Sequence, residues 1–238
     1  MNERKVALFV EGLTEQVFVR DFLIKWYDWD TIEVGLDCFT LNAGNEHSAP
    51  YPYGTVDSKN YYQIFNIGND NSVLSVMIDR ADRLQNAGYT LVVGLRDMFN
   101  KVYHQKTFEK NNQRVIDLEL NQKFIQSARE SIEASAKQVD LCLLYAIMEV
   151  ESWLLGMPKY MGQLQNITDP ETEIYHPAAK LAELRTAEGL TYDKHRDEIE
   201  SIVGDLTKDD YLALLQSGKC QSFRTFVTTI LGIDNLSS

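Results

Sequence analysis

Three runs of apolar residues punctuate the first 150 positions: Val6-Ala7-Leu8-Phe9-Val10, Leu91-Val92-Val93-Gly94-Leu95 and a stretch from Val139 to Ile147 broken only by Asp140. Short, continuous and rich in β-branched or aromatic side chains, they have the pattern of strands buried on both faces of a parallel sheet. Between them the spacing changes. Phe18, Phe22 and Leu23 recur at helical intervals after Thr14, a side chain suited to capping a helix. Val73, Val76, Met77, Ala81 and Leu84 do the same over 72–86, with Gly88 placed to end that helix. Phe124, Ile125, Ala128, Ile132 and Ala136 share a face over 121–137. Ile32 to Leu41 alternates enough to be a further strand. The stretch from Asn42 to Asn60 collects Gly, Asn, Pro, Tyr and Ser without periodicity and reads as a long loop. Tyr51 and Tyr53, with Tyr61 and Tyr62 just beyond, would pin that loop to the body or offer flat surfaces to a base.

From Met157 onward no strand-like run remains. Pro177-Ala178-Ala179-Lys180-Leu181 opens one helix, Lys194 to Leu206 forms another, and Phe223, Phe226, Val227 and Ile230 mark the buried face of a closing helix over Gln221–Leu231. Strands alternating with helices, then helices alone, predict an α/β fold: a mostly parallel sheet flanked by helices over residues 1–156, with an all-helical C-terminal extension over 157–238 packed on it.

The 238 residues, 44% of them hydrophobic, suffice to bury a full core. A formal charge of −12, from 23 basic and 35 acidic residues, argues against broad electrostatic capture of nucleic acid. It leaves room for a local basic strip beside a divalent metal, whose site itself needs surplus carboxylates. No apolar stretch approaches the roughly 18 residues that span a bilayer, and the opening residues lead straight into a strand instead of a signal peptide's apolar core. A cytoplasmic protein without membrane association is expected. Cys38, Cys142 and Cys220 are far apart and form no metal or redox pair, so they read as buried or incidental thiols. Neither a P-loop nor Gly-x-Gly-x-x-Gly nor a Gly-x-Ser-x-Gly elbow occurs. Any ATPase this chain works with is a partner.

The chemistry to watch is acidic. Glu11 follows the first apolar run, Asp97 the second, and Glu149 and Glu151 the third, each where a rigid sheet hands over to a loop or helix. Were the 149–151 junction extended, residues two apart would share a face and the two carboxylates would point the same way. Acids from three strand ends are what Mg²⁺ or Mn²⁺ requires, since hard ions take carboxylate oxygens and fill their remaining positions with water and phosphate. Taken singly, each acid reads as a cap or an ion-pair partner; it is the set of them that points to a metal. Arg96 is placed to contact a phosphate or to form a surface ion pair. Lys101, His104, Lys106, Lys110 and Arg114 make a basic stretch beside which a phosphate backbone could lie, or a solvated face. His104 is the one histidine near a proposed acid; His47, His176 and His195 read as surface residues. Trp153 reads as a core anchor that holds the neighbouring carboxylates still.

The wording of these segments goes beyond spacing. Val10-Glu11-Gly12-Leu13-Thr14-Glu15-Gln16-Val17 resembles the "EGxTE" opening of TOPRIM-like proteins, the fold shared by topoisomerases, primases and OLD-family nucleases. Met148-Glu149-Val150-Glu151-Ser152-Trp153-Leu154-Leu155 is similar to the "E-x-E-x-W/L-L" segment of an uncharacterised bacterial TOPRIM-like family. Pro177-Ala178-Ala179-Lys180, Tyr192-Asp193-Lys194 and Cys220-Gln221-Ser222-Phe223 are similar to that family's helical C-terminal pattern. The resemblance implies a TOPRIM-like sheet, Glu11 and Asp97 as catalytic acids, and Glu11, Asp97, Glu149 and Glu151 as ligands of Mg²⁺ or Mn²⁺. Glu15, Arg96, Lys101 and His104 then stand on the substrate side. The implied function is metal-dependent phosphodiester chemistry, a nuclease acting on DNA or RNA in defence against foreign nucleic acid. Nucleic acid, an ATPase or other defence-system protein and a second copy of the chain are the implied partners. One departure matters: Leu95-Arg96-Asp97-Met98-Phe99 offers a single acid where the usual second motif has Asp-x-Asp. A non-catalytic module that uses the same scaffold to bind nucleic acid, a nucleotide or a protein is the alternative expectation.

Overall fold

The computed structural model describes residues 3–42, 44–49, 51–68, 72–111, 116–161 and 174–233; Arg114 of the basic stretch lies outside them. Six strands form one sheet in the order β3-β2-β4-β1-β5-β6: β1 (Arg4–Val10), β2 (Val34–Asn42), β3 (Asn45–Ser48), β4 (Asn60–Asn66), β5 (Leu91–Asp97) and β6 (Asp140–Ala146). β1 pairs in parallel with β4 on one side and β5 on the other, and β2 pairs in parallel with β4. Only the β2–β3 pair among those registered is antiparallel. The described helices are α1 (Leu13–Trp26), α2 (Val73–Asn86), α3 (Lys101–Asn111), α4 (Leu118–Ala134), α5 (Glu151–Leu155), α6 (Pro158–Met161), α7 (Pro177–Ala187), α8 (Arg196–Gly204), α9 (Lys208–Ser217) and α10 (Gln221–Leu231). The molecule is α/β with a mostly parallel sheet, and its described elements after residue 150 are helices.

Two compact units share the chain by interleaving instead of a single cut near 156: residues 1–96 with 124–144, and residues 97–123 with 145–238. The first unit is built around the sheet. Alternation along β1 sends Ala7 and Phe9 into a cluster with Tyr61 and Phe65 of β4 and Val73, Met77, Ala81 and Leu84 of α2. Phe39, Phe65 and Phe9 lie in register on β2, β4 and β1 and stack ring on ring, with centroids 5.2 and 4.8 Å apart. Such pairs add about 0.5–1.5 kcal/mol each beyond their buried area. Gly94 of β5 is glycine because α2 and β6 leave no space: a Cβ there would stand 2.5 Å from Leu143 Cδ1 and 3.0 Å from Val73 Cγ1.

Three expectations change. The stretch expected to be a loop contains β3 and ends at β4, a strand interior to the sheet. Asn-Tyr-Tyr-Gln-Ile-Phe-Asn has a polar residue at each end and Gln63 in the middle, which breaks the apolar run. Its tyrosines nonetheless bury their rings and place their hydroxyls on partners, Tyr61 on Asp37 (2.5 Å) and Tyr62 on Tyr27 (3.0 Å). Second, Thr14 lies inside α1, whose N-cap is Gly12. Third, Lys194 precedes its helix: α8 starts at Arg196, and Lys194 has a left-handed backbone, φ +58°. The cysteines are free, and burial pushes the Cys38 thiol up to about 12.

Candidate metal centre

The site lies wholly within the second unit. Where β5 and β6 end, the Met98 amide donates to the Ala146 carbonyl (3.0 Å) and the Phe99 amide to the Met148 carbonyl (2.8 Å). This stitching sets Asp97, the last residue of β5, against residues 147–151. The chain there is not extended. Val150 is helical (φ −57°, ψ −25°) and leads into α5 at Glu151, so Glu149 and Glu151 flank a turn instead of sharing the face of a strand. The Val150 amide donates to Asp97 Oδ1 at 3.1 Å and locks the turn to the strand end.

The result is convergence: one ligand oxygen each from Asp97, Glu149 and Glu151 lies within 4.8 Å of the others. The three residues are 7%, 7% and 0% exposed. At that spacing each ionised pair repels by about 3.5 kcal/mol or more, taking an effective dielectric constant of about 20. Something positive must offset this, and Lys194 does so in part. Its Nζ stands 3.1 Å from Glu149 Oε1 and 2.9 Å from Glu151 Oε1, while the side chain as a whole is 40% exposed. Burial acts to lower the Lys194 pKa, but the charges of Glu151, Glu149 and Asp97 outweigh it and hold the ammonium well above the usual lysine range. One ammonium does not neutralise three carboxylates.

Further partners fix the oxygens. Glu149 Oε2 accepts from the Ala178 amide in the first turn of α7 (3.3 Å), with His176 Nδ1 at 3.6 Å. Glu151 Oε1 accepts the Tyr192 hydroxyl at 2.6 Å. Glu151 Oε2 is buried with no hydrogen-bond partner among the described residues, which is costly unless a ligand takes it up. Beneath, Trp153 is fully buried, donates from its indole to Ser222 Oγ (2.8 Å) and packs on Phe223 and Phe226, so α5 is anchored to α10. Three hard oxygen donors, one of them with an orphaned oxygen, fit Mg²⁺ or Mn²⁺.

The remaining predicted residues are distributed as follows. Glu11, half-buried just past β1, belongs to the first unit and is not one of the three clustered acids. Glu15 is 4% exposed and accepts the Gly12 amide at 2.7 Å, a helix-capping role. Arg96, also in the first unit, is half-buried and its Nε has no hydrogen-bond partner among the described residues. Lys101 and His104 are exposed on α3 of the second unit. His176, expected at the surface, has its Nδ1 set against the acid Glu149. Sequence reasoning missed Lys194, Tyr192 and His176. Tyr192 and Lys194 stood out only as part of the C-terminal wording, and a lysine preceding a helix carries no pattern that distinguishes it from a solvated one.

Comparison with protein-family models, with curated proteins and with solved structures finds no match to this chain.

Proposed function

We propose that the chain is a Mg²⁺- or Mn²⁺-dependent enzyme of phosphodiester chemistry, a nuclease on a TOPRIM-like scaffold, acting on DNA or RNA. The observation that carries this reading is the buried meeting of Asp97 with Glu149 and Glu151, acids from chain segments about fifty positions apart, around an orphaned carboxylate oxygen. Asp97, Glu149 and Glu151 would hold the ion. Bound there, it would polarise a phosphoryl oxygen and acidify a water.

The chain's own residues prepare the rest. The Val150 amide and the Tyr192 hydroxyl orient Asp97 and Glu151 before any ligand arrives, so little reorganisation is needed on binding. Lys194, protonated at neutral pH, sets an ammonium beside both glutamates, where it can hold a non-bridging phosphate oxygen of the substrate. Its left-handed backbone costs roughly 1–3 kcal/mol, a strain of the kind retained at functional positions. Three acids suit a single ion better than a pair, in keeping with the lone Asp97 of the second motif. Glu11 remains a proposed fourth acid on the strength of its wording and its place after β1. A foreign-nucleic-acid defence role, with an ATPase as partner, follows only from the TOPRIM resemblance.

The test is cleavage of single-stranded and duplex DNA and RNA with Mn²⁺ by wild type, Asp97→Asn, Glu151→Gln and Glu11→Ala. Activity that survives Asp97→Asn or Glu151→Gln, or is absent throughout, would falsify the nuclease reading. Glu11→Ala is scored separately. A second reading has its own support: Lys194 already bridges Glu149 and Glu151 as a cation would, which suits a non-catalytic binding module whose acids are permanently ion-paired. Calorimetric titration with Mn²⁺ separates the two, since the module shows no saturable binding.

A further inference from the structure

Beside the carboxylates the second unit carries a bank of rings that the chemistry above does not use. Phe99, two residues past Asp97, has the His176 ring at 4.8 Å, Tyr175 edge-on at 5.4 Å and His104 edge-on at 6.0 Å. Tyr175 is buried with its hydroxyl 2.9 Å from Thr107 Oγ1, which ties the bank to α3. The outer rings are open: His104 is exposed, and the His176 side chain is 44% exposed although its Nδ1 lies 3.6 Å from Glu149. His176 therefore presents an aromatic surface within one side-chain length of a proposed metal ligand. Lys101 and His104, three apart on α3, share a helix face; both are exposed, and the His104 ring stands against Phe99.

We infer that this bank is a base-stacking subsite and that the substrate is single-stranded nucleic acid. The inference rests on the phosphodiester reading and narrows it. In a duplex the flat faces of the bases are covered by their neighbours, and only backbone and groove edges meet a protein. A base reaches His176 and Phe99 only when unpaired and splayed out. The net charge agrees: a chain of charge −12 is poorly suited to broad capture of a duplex by its phosphates, whereas stacking needs few ionic contacts. Lys101 supplies one such contact, and the expected slope of log affinity against log salt is shallow, about −0.7 to −1.4 for one or two neutralised phosphates.

The experiment is fluorescence anisotropy with the full chain in Ca²⁺, using labelled oligothymidylate and oligouridylate of about 12 nucleotides, and a duplex of the same length. Single strands of either sugar should bind at least about tenfold tighter than the duplex. His176→Ala and Phe99→Ala should each weaken single-strand binding by about 5- to 150-fold, the usual range for loss of one stacked base. His176→Phe should restore it, because a ring is kept while the imidazole is removed; a role through Glu149 alone predicts no such rescue. Equal binding of strand and duplex, or unaltered binding by His176→Ala and Phe99→Ala, overturns the inference. Thermal melting confirms that each variant is folded, with Phe99→Leu as the milder substitute. Mn²⁺ calorimetry on the same samples reports on the metal centre independently, so the two readings can fail separately.

Discussion

Acids that follow two parallel strands of this molecule meet opposite fates. After β1, the chain turns at Gly12 and the nearest buried carboxylate, Glu15, spends its oxygen on the Gly12 amide as a helix cap. After β5, Asp97 also takes a backbone amide, that of Val150, yet it does so in the company of two further acids and a lysine. A single capped carboxylate stabilises the helix it begins. Three crowded ones burden the fold, and only a ligand or a function accounts for keeping them. A strand-end acid is therefore diagnosed by the charges gathered round it, not by its position.

That contrast can be broken by measurement. The largest effect should come from metal. At a Mn²⁺ concentration about 100 times its dissociation constant, wild type should gain about 2.7 kcal/mol of stability, and Glu151→Gln should gain none. Without metal, Glu151→Gln should melt at or above the wild-type temperature, because it relieves repulsion while leaving Tyr192 an acceptor. A markedly lower melting temperature would mean that Glu151 is structural, like Glu15. Next in size is the dry core of the first unit, where Gly94→Ala should cost about 1–3 kcal/mol in urea unfolding by overpacking Leu143 and Val73. Glu15→Ala should cost about 1 kcal/mol, the usual value of a lost N-terminal cap; neutrality there would erase the contrast from the other side.

The smallest effect is electrostatic. Burial tends to raise the pKa of Glu46 on β3, but its hydrogen bonds to Arg83 and Arg80 of α2 prevail and hold the carboxyl below its ordinary 4.5. A depressed carboxyl contributes stability that is present above the unfolded-state value and lost as pH falls through the folded-state one. Stability of wild type relative to Glu46→Gln should therefore be constant near neutrality and shrink below about pH 4.5, by well under 1 kcal/mol for so accessible a pair. Acid titrations followed by circular dichroism give the answer.

What the chain disclosed about itself follows from the range of the forces involved. β1 and β5 were legible because burial on both faces demands unbroken apolar runs, and β6, half-buried at the end of the strand order, because its residues from Leu141 to Ala146 are apolar as well. β4 was not, because its tyrosines satisfy their hydroxyls through Asp37 and Tyr27, residues remote in sequence. Asp97, Glu149 and Glu151 could be picked out singly, since each follows such a run. Their companions could not. Lys194 comes more than forty positions after Glu149, and nothing local distinguishes a lysine that will turn inward. Trp153 was legible as an anchor, but its hydrogen bond to Ser222 depends on how α10 docks.

The interleaved course of the second unit limits how the protein can be dissected. A fragment ending at residue 156 would retain all three acids and the whole sheet, and would look like a sensible boundary for expression. It would be stripped of Lys194, Tyr192 and the Ala178 amide, which hold the glutamates, and of Ser222, which receives the Trp153 indole. The late helices are thus structural members of the acidic pocket, and any graft of the centre onto another scaffold must carry them along.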